Sequence, residues 1–145
     1  MIVFFDTNVL IYQYDLWNTE HRNVANALFR RCAESEDIDV VLSVQVLGEF
    51  FSAITRKGPV PMDKRRAIEE AQRFREFQIV ETDVSLVERA MLRSARSQIN
   101  YYDALIVEAA LTGGADVLYS QDMQHGMRYD SMRVENPFEG LPAAQ

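Results

Sequence analysis

The chain has 145 residues, of which 48% are hydrophobic and 26% charged, and its formal net charge is −7. This length and composition predict one globular domain, and no apolar run approaches the roughly 18 residues that span a bilayer. The negative charge excludes a protein that coats nucleic acid through bulk positive charge. The single cysteine, Cys32, allows no internal disulfide, and the first residues lack the pattern of a signal peptide. We therefore expect a cytoplasmic protein that does not enter the membrane.

Strand-like and helix-like segments alternate along the chain. In chain order, the first half is predicted to form a strand at 2–5, a short helix at 8–14, a helix from 19, a strand at 37–43 and a helix that ends at 54. A break at 57–63 follows. The second half is predicted to form a helix at 63–77, a strand at 77–81, helices at 83–97 and 102–111, and strands at 115–120 and 132–136. Ser43, Asp63 and Asp83 are the expected caps of three of these helices. Such alternation predicts an α/β fold with a mostly parallel sheet of about five strands. We expect a single domain over residues 1–138 and a flexible tail over 139–145.

Acidic residues occur where the predicted strands end. Asp6 directly follows the first strand, and Asp122 comes two residues after Ser120, which ends the fourth. Glu49 lies in the second turn of the helix that leaves the second strand. Asp103 opens the apolar helix "DALIVEAALTGG", which runs back to the start of the fourth strand. Because ligands of open parallel sheets bind beyond the carboxyl ends of the strands, these four acids are predicted to converge.

Each of these acids also has a plainer interpretation. Asp6 would serve as a turn residue, Glu49 as a solvated helix acid, Asp103 as a helix N-cap and Asp122 as a loop acid. Their joint placement is what favours a site.

Two other acids are predicted to lie elsewhere. Asp116 starts the fourth strand, so at about 3.3 Å per residue it should be roughly 15–20 Å from Asp122, at the other end of the sheet. Glu108 lies about 140° around its helix from Asp103 and is expected to be an exposed helix acid. Neither belongs to the predicted cluster.

Crowded carboxylates attract cations. Two unit charges about 4 Å apart repel by roughly 4 kcal/mol at an effective dielectric near 20. An all-oxygen ligand set favours Mg²⁺ or Mn²⁺, and neither His21 nor His125 offers the spacing of a zinc site. His125 is expected to be an ordinary loop histidine. A hard divalent cation with open positions suits attack on a phosphodiester.

Four stretches, "FFDTNVLIY", "VLSVQVLGEFF", "NYYDALIVEAA" and "ADVLYSQDMQHG", together resemble PIN-domain nucleases, especially the VapC-like toxins of bacterial toxin–antitoxin pairs. The resemblance implies a three-layer α/β/α fold with strand order 3-2-1-4-5, and Mg²⁺- or Mn²⁺-dependent cleavage of single-stranded RNA. It also implies that the metal-binding catalytic acids are Asp6, Glu49, Asp103 and Asp122, supported by the polar side chains of Asn8 and Ser120. The chain departs from the family at Gln121, where relatives often have an acid.

The resemblance further implies a homodimer and an antitoxin partner that places a basic side chain near the acidic pocket. The candidate contact surfaces are "LIYQYDLW", with Tyr12, Tyr14 and Trp17, and the segment around Phe50 and Phe51, although core packing is the default for all of them. The candidate RNA-contacting residues are Arg22, Arg30, Arg31, Arg56, Lys57, Arg65 and Arg66.

Three other classes of protein are alternatives. A haloacid dehalogenase phosphatase needs an acid where this chain has Asn8, and a response-regulator receiver needs a late lysine, whereas no lysine follows Lys64. The remaining alternative is a catalytically inactive PIN scaffold that binds RNA or protein.

Overall fold

The computed structural model describes residues 1–56 and 62–145. Within them the strands are β1 (Ile2–Phe5), β2 (Asp39–Ser43), β3 (Gln78–Val80), β4 (Val117–Tyr119), β5 (Arg128–Tyr129) and β6 (Met132–Glu135). The helices are α1 (Thr7–Tyr12), α2 (Thr19–Glu34), α3 (Val44–Ile54), α4 (Lys64–Arg73), α5 (Val84–Ser97) and α6 (Tyr101–Thr112), and a 3-10 turn spans Phe74–Glu76. Most of the predicted break at 57–63 and the candidate Lys57 lie outside the described residues.

The described strands form one mostly parallel sheet in the order β3-β2-β1-β4-β6-β5. The five predicted strands are β1 to β4 and β6, so their predicted order is confirmed. The prediction missed β5, which pairs antiparallel with β6 through a turn at Asp130, where φ is 53°. A two-residue strand is too short to show any periodicity, so the sequence gives no signal for it.

The core lies on both faces of the sheet. Val3, Phe4 and Phe5 of β1 are fully buried, as the continuous apolar run predicted. Helix α6 packs against β2 so closely that a Cβ at Gly113 would lie 2.5 Å from Cγ1 of Val41. Only glycine fits there, and it ends the helix where the chain must turn into β4.

The helix caps follow the sequence closely. The side chains of Ser43, Asp63 and Asp83 accept hydrogen bonds from backbone N–H groups of α3, α4 and α5. Helix α4 is shorter than predicted, because the chain tightens into the 3-10 turn after Arg73. At the start of α6 the cap is Asn100, whose Oδ1 accepts from the backbone N–H of Tyr102 at 2.8 Å. Asp103 is therefore free of the capping role that its plainer interpretation assigns to it.

The last residues contact the domain. Leu141 packs against the core, and the backbone N–H of Gln145 donates to Oδ1 of Asn18 at 2.8 Å. In the described part of the chain, no helix combines the length and the apolar character that crossing a membrane requires.

Candidate active site

Asp6 is held where β1 passes into α1. Its backbone N–H donates to the carbonyl of Tyr119 at 2.9 Å, which continues the pairing of β1 with β4. Its Oδ1 accepts from the N–H of Thr7 at 2.7 Å, and its Oδ2 accepts from the Ser120 hydroxyl at 2.9 Å. The residue is only 9% exposed. The carboxylate is thus fixed by two neighbouring strands, and it caps the short helix α1.

Ser120 links the ends of two strands. It is fully buried directly after β4, where its hydroxyl donates to Asp6 and also accepts from the N–H of Met123 at 3.4 Å. The resemblance to PIN-domain nucleases implied a supporting polar side chain at this position, and the structure places its hydroxyl against Asp6.

Glu49 lies in α3 and is tied to two other helices. Its Oε2 accepts from the Thr7 hydroxyl at 2.9 Å, and its Oε1 accepts from Nε2 of Gln45 at 2.7 Å. The same Gln45 amide reaches the carbonyl of Tyr102 in α6 at 3.3 Å. Sequence reasoning missed both partners. Gln45 carried a usable signal, because it precedes Glu49 by one helical turn on the same face.

Asp122 is exposed in the loop after β4. Its Oδ2 accepts from Nδ2 of Asn8 at 2.8 Å, which joins that loop to α1. Asn8 was predicted to support the acids, and the structure brings it to Asp122.

Asp103 is half-buried in the first turn of α6. Burial is the main cause that raises the pKa of its carboxyl, and the charges of Asp122 and Glu49 raise it further. Burial raises the pKa of Asp6 to about 6, against the opposing effect of its bonds to Ser120 and Thr7. The charges of Glu49 and Asp103 add to that rise. Asp6 therefore lies within electrostatic range of Glu49 and Asp103, and Asp103 lies within range of Glu49 and Asp122.

The donor set is suited to a hard cation, yet the side chains are not arranged around one. Carboxylate oxygens are the ligands that Mg²⁺ and Mn²⁺ prefer. Among residues 1–56 and 62–145, however, no three His, Cys, Asp or Glu side chains form a group that could hold a metal ion. Glu49 and Asp122 point instead at neutral donors, Thr7 and Asn8.

The burial of Glu108 differs from what the sequence predicted. It was expected to be exposed, but it is 7% exposed, and its Oε1 lies 2.6 Å from Nε of Arg93. Its Oε2 lies 3.6 Å from Nε of Arg89. The cause is that α6 packs against both α5 and strands β2 and β3, so that residues 104–110 are all buried. Glu108 is an ion-paired core residue on a different helix face from Asp103.

Two other expectations outside the site are confirmed. Asp116 accepts from the backbone N–H of Ile2 at 2.8 Å, at the amino end of the sheet. His125 is a loop residue whose Nδ1 accepts from the N–H of Asn136 at 2.9 Å.

The candidate contact aromatics divide between core and surface. Phe50 is fully buried, and Phe51, Tyr12 and Tyr14 pack partly against the core, whereas Trp17 is 59% exposed. Among the candidate basic residues that the structure describes, Arg65 lies 3.6 Å from Glu69 in an exposed pair. That pair is an ordinary solvated contact of the helix surface.

The comparisons with known proteins identify the family. The profile of the PIN domain family matches residues 3–126, so the chain belongs to that family. No curated protein sequence matches the chain.

Several solved structures share the fold. VapC20 of Mycobacterium tuberculosis, described as a toxin that cleaves the sarcin–ricin loop, is 20% identical with a TM-score of 0.64, over 83% of this chain and 89% of its own. VapBC2 of Rickettsia felis, bound to a DNA fragment from its promoter, is 20% identical with a TM-score of 0.62. The match covers 94% of this chain and 98% of that one. VapBC-1 of nontypeable Haemophilus influenzae is 16% identical with a TM-score of 0.63, over 96% and 100%.

Proposed function

We propose that this protein is a metal-dependent endoribonuclease that cleaves single-stranded RNA. The observation that carries the proposal is the placement of acids at one edge of the sheet, where Asp6 accepts from Ser120, Glu49 from Thr7 and Asp122 from Asn8. Acids held in mutual repulsion are strained when all are ionised, and a divalent cation relieves that strain. Family membership and the likeness to VapC20 support the same activity.

Asp6, Glu49, Asp103 and Asp122 would hold Mg²⁺ or Mn²⁺. When bound, such a cation polarises a phosphate oxygen and makes its water a better nucleophile at neutral pH. Ser120 keeps Asp6 oriented through its 2.9 Å bond, and Asn8 does the same for Asp122 at 2.8 Å. Because Asp6 is the most buried of the four acids, it is the least free to move and sets the position of the site.

RNA is a polyanion and this chain carries a net charge of −7. Attraction over the whole surface therefore does not bring the substrate to the site. A cation held by the acids at this edge would supply the local positive charge that an acidic protein needs to act on a phosphodiester.

We also propose that the chain is the toxin of a toxin–antitoxin pair, acts as a homodimer and binds a cognate antitoxin. Two of the similar structures are VapBC assemblies, which supports a protein partner. Leu16 and Trp17, 58% and 59% exposed, are apolar side chains available to one. Sedimentation of the purified chain at tens of micromolar tests the dimer, and a monomer there contradicts it.

The test of the activity is cleavage of a labelled single-stranded RNA by purified protein in Mg²⁺ or Mn²⁺. We expect EDTA to stop cleavage and Asp6→Asn to abolish it. Asp116→Asn removes the same charge at the opposite end of the sheet, so it should cleave at the wild-type rate.

The competing function is a non-catalytic PIN scaffold that binds RNA or protein. It is favoured by the side-chain arrangement, in which no described acids are grouped to hold a metal. Failure of wild-type protein to cleave any single-stranded RNA in either metal, while it still binds RNA, would establish that function instead.

A further inference from the structure

A cleft of about 490 Å³ opens beside Asp122, between the loop after β4 and the C-terminal segment. This volume falls within the roughly 300–1,000 Å³ of small-molecule sites. Its lining comprises His21, Gln121, Asp122, Asn136 and the segment 138–144. Asp122 lines the cleft and also belongs to the candidate active site, so the two are continuous.

The charges of the cleft exclude a phosphate. Its described lining contains two acids, Asp122 and Glu139, and no lysine or arginine. The neutral polar groups are the amides of Gln121 and Asn136. The proposed cation would compensate the charge of Asp122, but a phosphate beside Glu139 would meet a negative charge with no lysine or arginine near it, whereas a neutral group that donates hydrogen bonds would find acceptors.

His21 provides a second, independent observation. It is 5% exposed, and its ring lies 5.0 Å from the rings of both Tyr12 and Phe138. Among the side-chain hydrogen bonds of the described residues, none involves its imidazole. His21 also lines the cleft, and no fully buried side-chain nitrogen or oxygen of the described residues lacks a partner. A buried imidazole that lines a cleft without a protein partner is suited to bind a polar ligand.

The outer wall of the cleft is fixed in place. The N–H of Phe138 donates to Oδ1 of Asn136 at 2.9 Å, and Leu141 packs against the core. Farther along, Gln145 bonds to Asn18 across the start of α2. These contacts tie the backbone on both sides of Glu139 to the domain, and Glu139 itself is an exposed residue of the cleft lining.

We propose that this cleft binds the base of the nucleotide next to the cleaved phosphate, and that Glu139 selects bases with an exocyclic amino group. The proposal rests on the proposed RNA cleavage. Single-stranded RNA is recognised by splayed-out bases whose edges hydrogen-bond to the protein. A carboxylate accepts from the N4 amino group of cytosine, whereas the O4 atom of uracil is itself an acceptor and is repelled.

Cytosine and uracil differ mainly in that donor pattern, so they make a matched pair of probes. Wild-type protein in Mn²⁺ at pH 7.5 is titrated into fluorescein-labelled oligocytidylate and oligouridylate of equal length, whose phosphorothioate linkages slow cleavage. We expect oligocytidylate to bind about tenfold more tightly, the effect of one hydrogen bond to a charged group. Glu139→Gln should bring the ratio close to one, because an amide both accepts from cytosine and donates to uracil. Glu36→Gln, which removes an exposed acid before β2, should leave the ratio unchanged.

Equal binding of the two strands by wild-type protein, or binding of neither, would overturn the proposal. So would a cytosine preference that survives Glu139→Gln, since some other part of the surface would then be responsible. The cleavage assay separates the two proposals. Metal-dependent cleavage without a base preference in binding removes only the base subsite, whereas absence of cleavage of any RNA removes the proposed function.

Discussion

Replacing Asp6 with asparagine should stabilise the protein at neutral pH in the absence of metal. Asparagine keeps the size of the side chain, and its Oδ1 still accepts from the N–H of Thr7. Its amide faces the Ser120 hydroxyl, which is able to accept a hydrogen bond as well as donate one. What the substitution removes is a buried negative charge close to Glu49 and Asp103.

The size of the effect follows from the raised pKa. A rise from 3.8 to about 6 corresponds to about 3 kcal/mol, at roughly 1.4 kcal/mol per pH unit. The folded protein holds the Asp6 proton more tightly than the unfolded chain does. The contribution of Asp6 to the free energy of unfolding is therefore least unfavourable below pH 3.8. As the pH rises to about 6, this contribution lowers wild-type stability, and above that pH it stays constant. The variant lacks this dependence.

Denaturant unfolding of both proteins in EDTA, between pH 4 and 7.5, measures the difference. We expect the free energy of unfolding of Asp6→Asn to equal that of wild type near pH 4 and to exceed it by about 3 kcal/mol at pH 7.5. Asp116→Asn serves as the control, since Asp116 is exposed at the other end of the sheet and should show no such gain. If the Asp6→Asn advantage is absent, or equally large at pH 4, the electrostatic account of the site is refuted.

Three further substitutions probe the surroundings of the site. Ser120→Ala removes the hydrogen bond that lowers the pKa of Asp6, so the acid limb of the pH–rate profile for RNA cleavage should move to higher pH; an unmoved limb contradicts the role of Ser120. Glu108→Gln leaves the Arg93 guanidinium without its carboxylate and should cost about 3 kcal/mol in denaturant unfolding, with unchanged cleavage by the folded protein. Asp122→Asn keeps an acceptor for Asn8, so its melting temperature in EDTA should match or slightly exceed that of wild type, while RNA cleavage is lost. A much lower melting temperature would make Asp122 a structural residue.

The parts of the fold that the sequence predicted are those set by local chemistry. The caps Ser43, Asp63 and Asp83 were predictable because a short polar side chain before an apolar periodic segment has few other uses. The strand order followed from resemblance to the PIN family, and the structure agrees with it. The meeting of Asp6 with Ser120 was also predictable, because both residues end neighbouring parallel strands.

The features that the sequence did not predict depend on tertiary packing. Glu108 has the pattern of an exposed acid, and only the position of Arg93 on α5 shows why it is buried. The Thr7–Glu49 hydrogen bond joins residues far apart in the chain, so no local sequence pattern predicts it.

The most direct test of the central claim is Mn²⁺ binding, measured by electron paramagnetic resonance on wild type and on single variants. If Asp6, Glu49, Asp103 and Asp122 form one metal site, wild type should bind Mn²⁺, and the Asn or Gln substitution at each position should weaken binding. Glu108→Gln, which removes an acid outside the cluster, should bind as wild type does. Absence of Mn²⁺ binding by wild type, or binding unaffected by all four substitutions, would contradict the claim.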